Sequence, residues 1–141
     1  MIKVIITGSN GLLGQSLLNL LLKDTQKYQV FGFSRGGNRS GREDFSYTSI
    51  DITDEIILKK NIKQIQPDFI INTAAMTQVD DCENKKEACD LLNVTAVKWL
   101  SEVSKEINAH VIHISTDFIF DGIKGFYKET DKLNPLSYYG V

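Results

Sequence analysis

The chain has 141 residues, 42% of them hydrophobic, and a net charge of −2. That allows one domain with a real core and offers no whole-protein attraction for nucleic acid or an anionic membrane. No apolar run reaches the ~18 residues of a membrane span, and the opening "MIKVIITGSN" lacks a signal-peptide pattern.

Residues 3–7, "KVIIT", form a β-branched run that stops at glycines, which predicts a buried strand. Residues 12–24 carry leucines spaced for a helix with a wide apolar face. "YQVFGFS" at 28–34 predicts a second strand, and the polar, basic, glycine-rich residues 35–46 a loop. "YTSIDITD" at 47–54 predicts a third strand ending at Asp51 and Asp54, and 55–65 an amphipathic helix stopped by Pro67. Residues 68–75, "DFIINTAA", predict a fourth strand, 84–108 one long helix, and 110–116, "HVIHIST", a fifth strand. Strands alternating with helices, and apolar almost throughout, imply an α/β fold with a doubly wound parallel sheet. The right-handed crossover rule gives the order 3-2-1-4-5.

"TGSNGLLG" places Gly8, Gly11 and Gly14 between the first strand and the first helix. The octapeptide alone suits a tight turn. At a first βα junction it suits a dinucleotide pyrophosphate, because glycine admits the phosphates closely and the helix end offers unpaired N–H groups. Gly8, Asn10, Gly11, Leu12, Leu13 and Gly14 are therefore cofactor-binding candidates. Strand two ends in Ser34 and Arg35, where a NAD site places an acid for the ribose hydroxyls. A serine and a guanidinium suit a 2′-phosphate, which points to NADPH, with NADH also admitted. Arg39 and Arg42 either add to that charge or form a solvated basic loop.

The G-x-x-G-x-x-G spacing, "NTAAMTQVDDCE", "LLNVTAV", "STDFIFDG", "YKETD" and "NPLSYYG" together resemble the extended short-chain dehydrogenase/reductase family. The branch is that of the dTDP-4-dehydrorhamnose reductases. The resemblance implies a Rossmann-like NAD(P)-binding domain over residues 1–141. It implies Thr116 and Tyr139 as catalytic residues, Tyr139 protonating a sugar C4 keto oxygen that Thr116 holds as hydride arrives from the nicotinamide. Asp51 and Ile52 match the adenine contact, the lesser alternative for Asp51 being a helix cap. Ala74, Ala75 and Met76 match the ribose–pyrophosphate stretch. Asn93 matches a mid-helix asparagine supporting an active-site water network, Ile114 completes the cofactor set, and Asp117 joins Thr116 and Tyr139 as a substrate candidate.

The expected function is NADPH-dependent reduction of a nucleotide-linked 4-keto-6-deoxy sugar in dTDP-L-rhamnose and surface polysaccharide synthesis. The alternatives are a regulatory subunit of the methionine adenosyltransferase type and an NAD-dependent epimerase or dehydratase. In this family a lysine follows the tyrosine by four residues, and the chain stops two residues before it, at Val141. The expectation is thus a cofactor-binding part, inactive alone, without the substrate domain. Apolar surface should lie bare beside strand five, and a homodimer is compatible with the fold. Cys82 and Cys89 have no zinc-like partners, and His110 and His113 suit structural roles, so no metal is expected. Reduced thiols and a missing leader point to the cytoplasm.

Overall fold

The computed structural model describes residues 1–141. In chain order come β1 (Ile2–Thr7), α1 (Leu12–Leu21), β2 (Tyr28–Ser34), β3 (Ser46–Ser49), α2 (Glu55–Ile65) and β4 (Phe69–Asn72). They are followed by α3 (Val79–Asn84), α4 (Lys86–Asp90), a π-helical turn (Leu91–Thr95), α5 (Ala96–Ile107) and β5 (His110–His113). Two short 3-10 turns, Asp117–Ile119 and Tyr138–Gly140, complete the chain. All strand pairs are parallel, and the sheet order is β3-β2-β1-β4-β5, as expected.

The two faces of the sheet are covered unequally. On one face Ile5, Phe33 and Ile70 pack with Leu58 and Ile62 of α2 and with Ala96, Leu100 and Val103 of α5. On the other, Val4, Ile6 and Val30 meet Leu18 and the adjoining Leu22, with the half-buried Leu17, Leu21 and Phe45 at the margin. The leucine face of α1 is narrower than its sequence suggests, since Leu12 and Leu20 stand exposed. Beside β5, Ile112 and Ile114 are also exposed, the bare apolar surface expected there.

Three strands end earlier than expected, and in two of them local hydrogen bonds are the cause. After β3, the Asp51 carboxylate accepts from the Thr53 amide at 3.0 Å and from its hydroxyl at 2.7 Å, which peels the chain off the sheet. Asp54 then caps α2 by accepting from the Ile57 amide at 3.0 Å. After β5, the Thr116 hydroxyl accepts from the Phe118 amide at 3.2 Å and opens a 3-10 turn. The fourth strand is confined to Phe69–Asn72.

The single long helix expected at 84–108 is instead a broken one. Helix begins at Val79, leaves helical geometry at Lys85 (φ −130°, ψ 57°) and widens to a π turn at Leu91–Thr95. The side chain of Asn93, inside that turn, reaches out to the Met76 backbone. Its Oδ1 accepts from the Met76 amide at 2.8 Å and its Nδ2 donates to the Met76 carbonyl at 2.9 Å. Single π turns of this kind are frequent at functional sites.

Candidate functional site

The site lies along the carboxyl ends of the strands, the edge where open parallel sheets bind ligands. Gly8 takes φ +69°, and a β-carbon there would sit 2.8 Å from the Ala74 nitrogen and 2.9 Å from the Thr73 hydroxyl. A β-carbon on Gly14 would overlap the Gly8 carbonyl oxygen. Helix α1 therefore seats directly on the turn. Its N-cap, Gly11, offers no capping side chain, and no acid stands in the first turn. The amides of Leu12, Leu13 and Gly14 donate to nothing within the protein, so they form an anion-binding end.

A cleft of about 230 Å³ opens beside this turn. Of the residues expected to bind cofactor, it is lined by Gly8, Gly11, Ser34, Arg35, Asp51, Ile52, Ala74 and Ala75. Phe33, Ile50, Thr53, Thr73 and Leu92 line it as well. The Arg35 guanidinium is exposed and 3.9 Å from the Asp51 carboxylate. Partial burial pushes the Asp51 carboxyl up, but hydrogen bonds from Thr53 and the charge of Arg35 outweigh it and leave it below the usual range. Arg42 is committed elsewhere, paired with Asp44.

Asn10, expected to face the cofactor, instead holds the loop after β2. Its Nδ2 donates to the Gly37 carbonyl at 2.9 Å and to the Tyr47 hydroxyl at 3.1 Å, and its Oδ1 accepts from the Arg39 amide at 2.9 Å. Its own amide donates to the Ser34 hydroxyl at 3.1 Å. Tyr47 completes this clamp by donating to the Gly36 carbonyl at 2.7 Å. Nothing in the sequence pattern singled Tyr47 out, because a strand tyrosine has many uses. Leu12, Leu13, Gly14, Met76, Asn93 and Ile114 also stand outside the cleft walls.

A second recess of about 180 Å³ adjoins the first. Thr116 and Tyr139 meet there, with Ala75, Asn93, His113, Ile114, Ser115 and Ile119. The Thr116 hydroxyl accepts from Phe118, so its own proton remains free to donate. The Tyr139 ring packs edge-on against Phe118 at 5.5 Å. A β-carbon on Gly140 would overlap the Phe118 carbonyl oxygen, which gives the glycine after the tyrosine a packing reason. The neighbouring Tyr138 points elsewhere. Its hydroxyl donates to Asp90 at 2.7 Å, its amide to Glu83 at 2.6 Å, and the Asp90 hydrogen bond pushes its phenol up to about 12. Asp117 does not join Thr116 and Tyr139. It lines a separate recess of about 570 Å³ with Phe118, Phe120, Phe126, Tyr127 and Leu136, because the 3-10 turn rotates successive side chains apart.

Asn93 lines the second recess, but both ends of its amide are engaged by Met76, so it positions a loop. Beneath it Cys82 and Cys89 are buried free thiols with sulfurs 2.7 Å apart. Burial, then the neighbouring Cys89, pushes the Cys82 thiol up to about 12. His113 is hydrogen-bonded through Nδ1 to Asn72 at 3.0 Å, and burial lowers its pKa below the ordinary histidine value.

Residues 2–141 match the protein family described as "RmlD substrate binding domain". The chain belongs to this family. Among curated relatives, dTDP-4-dehydrorhamnose reductase of Aggregatibacter actinomycetemcomitans is 39% identical over 99% of this chain and 44% of its own length. Methionine adenosyltransferase 2 subunit beta of Xenopus laevis is 31% identical over 98% of this chain and 39% of its own. Among solved structures, a hypothetical dTDP-4-dehydrorhamnose reductase from Sulfolobus tokodaii superposes with a TM-score of 0.86 at 40% identity, over 99% of this chain and 48% of its own. A Bacillus anthracis dTDP-4-dehydrorhamnose reductase in complex with NADP gives 0.83 at 27% identity, over 99% and 46%. The chain thus spans about 44% of the length of the first RmlD-family reductase it matches. The part matched here is the strand–helix sheet with its glycine turn. No helix is long and apolar enough to cross a membrane.

Proposed function

We propose that residues 1–141 form the NADPH-binding domain of a reductase acting on the C4 keto group of a dTDP-linked 6-deoxy sugar, in dTDP-L-rhamnose and surface polysaccharide synthesis. The observation that carries this reading is the shared wall between the two recesses. Ala75 lines both the cleft of the glycine turn and the recess of Thr116 and Tyr139. A dinucleotide with its phosphates on the free amides of α1 would therefore reach Thr116 and Tyr139 with its other end. A relative of the same fold was solved in complex with NADP, which supports this reading, and Ser34 with Arg35 offers a 2′-phosphate its donors.

A reduced nicotinamide bound there would supply the hydride for the keto carbon. Tyr139 gives its phenolic proton to the developing alkoxide, and the free proton of the Thr116 hydroxyl holds the same oxygen where charge accumulates. A phenol gives up its proton more readily beside a positive charge, and no lysine or arginine side chain lines the recess, so residues 1–141 alone should bind cofactor and turn over little. The reduced cysteine pair suits the cytoplasm.

Two measurements test the reading. Fluorescence titration of residues 1–141 with NADPH and NADH should show binding, tighter for NADPH. The full-length gene product should reduce dTDP-4-dehydro-6-deoxy-L-mannose, and Thr116→Val and Tyr139→Phe should each lower kcat at least a hundredfold. A full-length product that binds NADPH but leaves the keto sugar untouched would instead favour a regulatory subunit.

A further inference from the structure

Across the top of the sheet, Thr7, Asn72 and His113 occupy one register row on β1, β4 and β5. They stand directly above the apolar row of Ile5, Ile70 and Val111, on the face covered by α5. Thr7 and Asn72 are buried at 0% and 1% exposure. The Thr7 hydroxyl donates to Asn72 Oδ1, and Asn72 Nδ2 lies 3.0 Å from His113 Nδ1.

The proton positions in this row follow from counting donors. The Thr7 hydroxyl has no hydrogen-bond partner other than Asn72. A reversed Asn72 amide would leave that hydroxyl proton facing an NH2 group with nothing to accept it, a costly orphan in a buried site. Asn72 Oδ1 therefore faces Thr7, and its Nδ2 donates to His113. His113 Nδ1 must then accept, so the neutral ring carries its proton on Nε2. A second proton on Nδ1 would set two N–H groups against each other. While Nδ1 is tied to β4, His113 as a residue is exposed and lines the recess of Thr116 and Tyr139. No Asp, Glu, Lys or Arg side chain lines that recess, and its other titratable side chain is Tyr139.

We propose that His113 is a fixed hydrogen-bond donor to the ligand of this recess, with Thr7 and Asn72 as positioning residues that set its tautomer. Its partner is a neutral acceptor oxygen, from the nicotinamide carboxamide or from the sugar. The ligand contact rests on the reading of the recess given above. The tautomer lock does not, and it excludes His113 as a general base at neutral pH.

The test uses the full-length protein with 15N-labelled histidine, the two ring nitrogens being distinguished by their couplings to ring protons. His110→Gln assigns the signals. The expected result at pH 7.5 is the Nε2–H tautomer for His113. Thr7→Val removes the donor that orients Asn72 and should let the Nδ1–H form appear. Asn72→Asp, the second variant should Thr7→Val fold poorly, accepts from both neighbours and should convert His113 to Nδ1–H outright. An Nδ1–H wild type, or an unchanged tautomer in the folded variants, overturns the lock. Saturation first with NADPH and then with nucleotide sugar should move the Nε2 signal in one step, which identifies the source of the oxygen. His113→Asn, which keeps an acceptor near Nδ1 but no donor near Nε2, should weaken that ligand about tenfold, and His113→Gln should restore most of the loss. A signal that neither ligand moves, or a protein that binds neither, overturns the contact, while the tautomer result separately decides the lock.

Discussion

The two ends of the carboxyl edge are built by different means. Around the glycine turn after β1 the site is made of backbone. Gly8 and Gly14 are places where no side chain fits, and the donors at the head of α1 are main-chain amides. Around β4 and β5 the site is made of side chains, Thr116, Tyr139, His113 and Asn93, each held by a particular hydrogen bond or ring contact. The first half should fail when an atom is added and ignore pH. The second should accept changes of similar volume and fail when a donor becomes an acceptor.

The sharpest way to break this contrast is Gly14→Val. The new side chain would strike the Gly8 carbonyl and the Ser9 backbone, with no flexible group to yield. The expected loss is at least about 3 kcal/mol of stability, with cofactor binding abolished. Urea unfolding measures it. A variant within 1 kcal/mol of wild type, a threshold set by ordinary surface substitutions, would show that α1 can pull away from the turn and that space is not what selects glycine there.

The same contrast explains what the sequence disclosed. Sterically required residues leave a spacing, so Gly8, Gly11 and Gly14, the parallel strands and the sheet order were legible in advance. Residues chosen by a distant partner leave none. Asn10 sits inside the glycine motif and looked like a cofactor contact, yet its side chain's partners across the loop and β3 lie 25 to 37 residues away. The Thr7–Asn72 contact spans 65 residues. The break at Lys85 and the π turn were hidden because the helical periodicity of 84–108 is intact, and the contact made inside the π turn, Asn93 to Met76, is a distant one. Asp117 was grouped with Thr116 by adjacency, but adjacent residues in a tight turn face different recesses.

Asn10→Ala is the next step down in size. It removes the bonds to Gly37, Tyr47 and Arg39 together and frees the loop that carries Arg35. Because these groups are partly exposed, water replaces some of what is lost, and the expected cost is about 1–3 kcal/mol. Limited proteolysis should cut within residues 35–44 well before it cuts the wild type. Equal cleavage rates would mean that the loop keeps its shape without the clamp.

Arg35→Ala acts on one charge. The guanidinium is exposed, and its ion pair with Asp51 is long at 3.9 Å, so stability should hardly change. Binding of NADPH should weaken about tenfold, and binding of NADH should not. Paired calorimetric titrations would show it. A parallel loss for both cofactors would assign Arg35 to the adenine or ribose ring in place of the 2′-phosphate.

The smallest effect is a pH dependence confined to the side-chain half. Burial holds the His113 pKa below its ordinary value, and the donor from Asn72 opposes a second proton as well. Between the folded and unfolded pKa values the unfolded chain therefore binds more protons, so stability rises with pH. The contribution is complete above about 6.5, the unfolded value, and is lost as pH falls through the folded one. The groups around the ring are Asn72, Asn93, Thr116 and Tyr139, with no carboxylate, lysine or arginine side chain among them. His113→Gln removes the titrating ring and leaves the carboxylates common to both proteins. The gap in urea midpoint between wild type and variant should therefore shift against the wild type on going from pH 7.5 to pH 5.5. Because the ring is partly solvated, the shift should be modest. A gap that stayed constant, or moved in favour of the wild type, would mean that Asn72 can turn its oxygen toward a charged His113. The two halves of the edge would then share one indifference to pH.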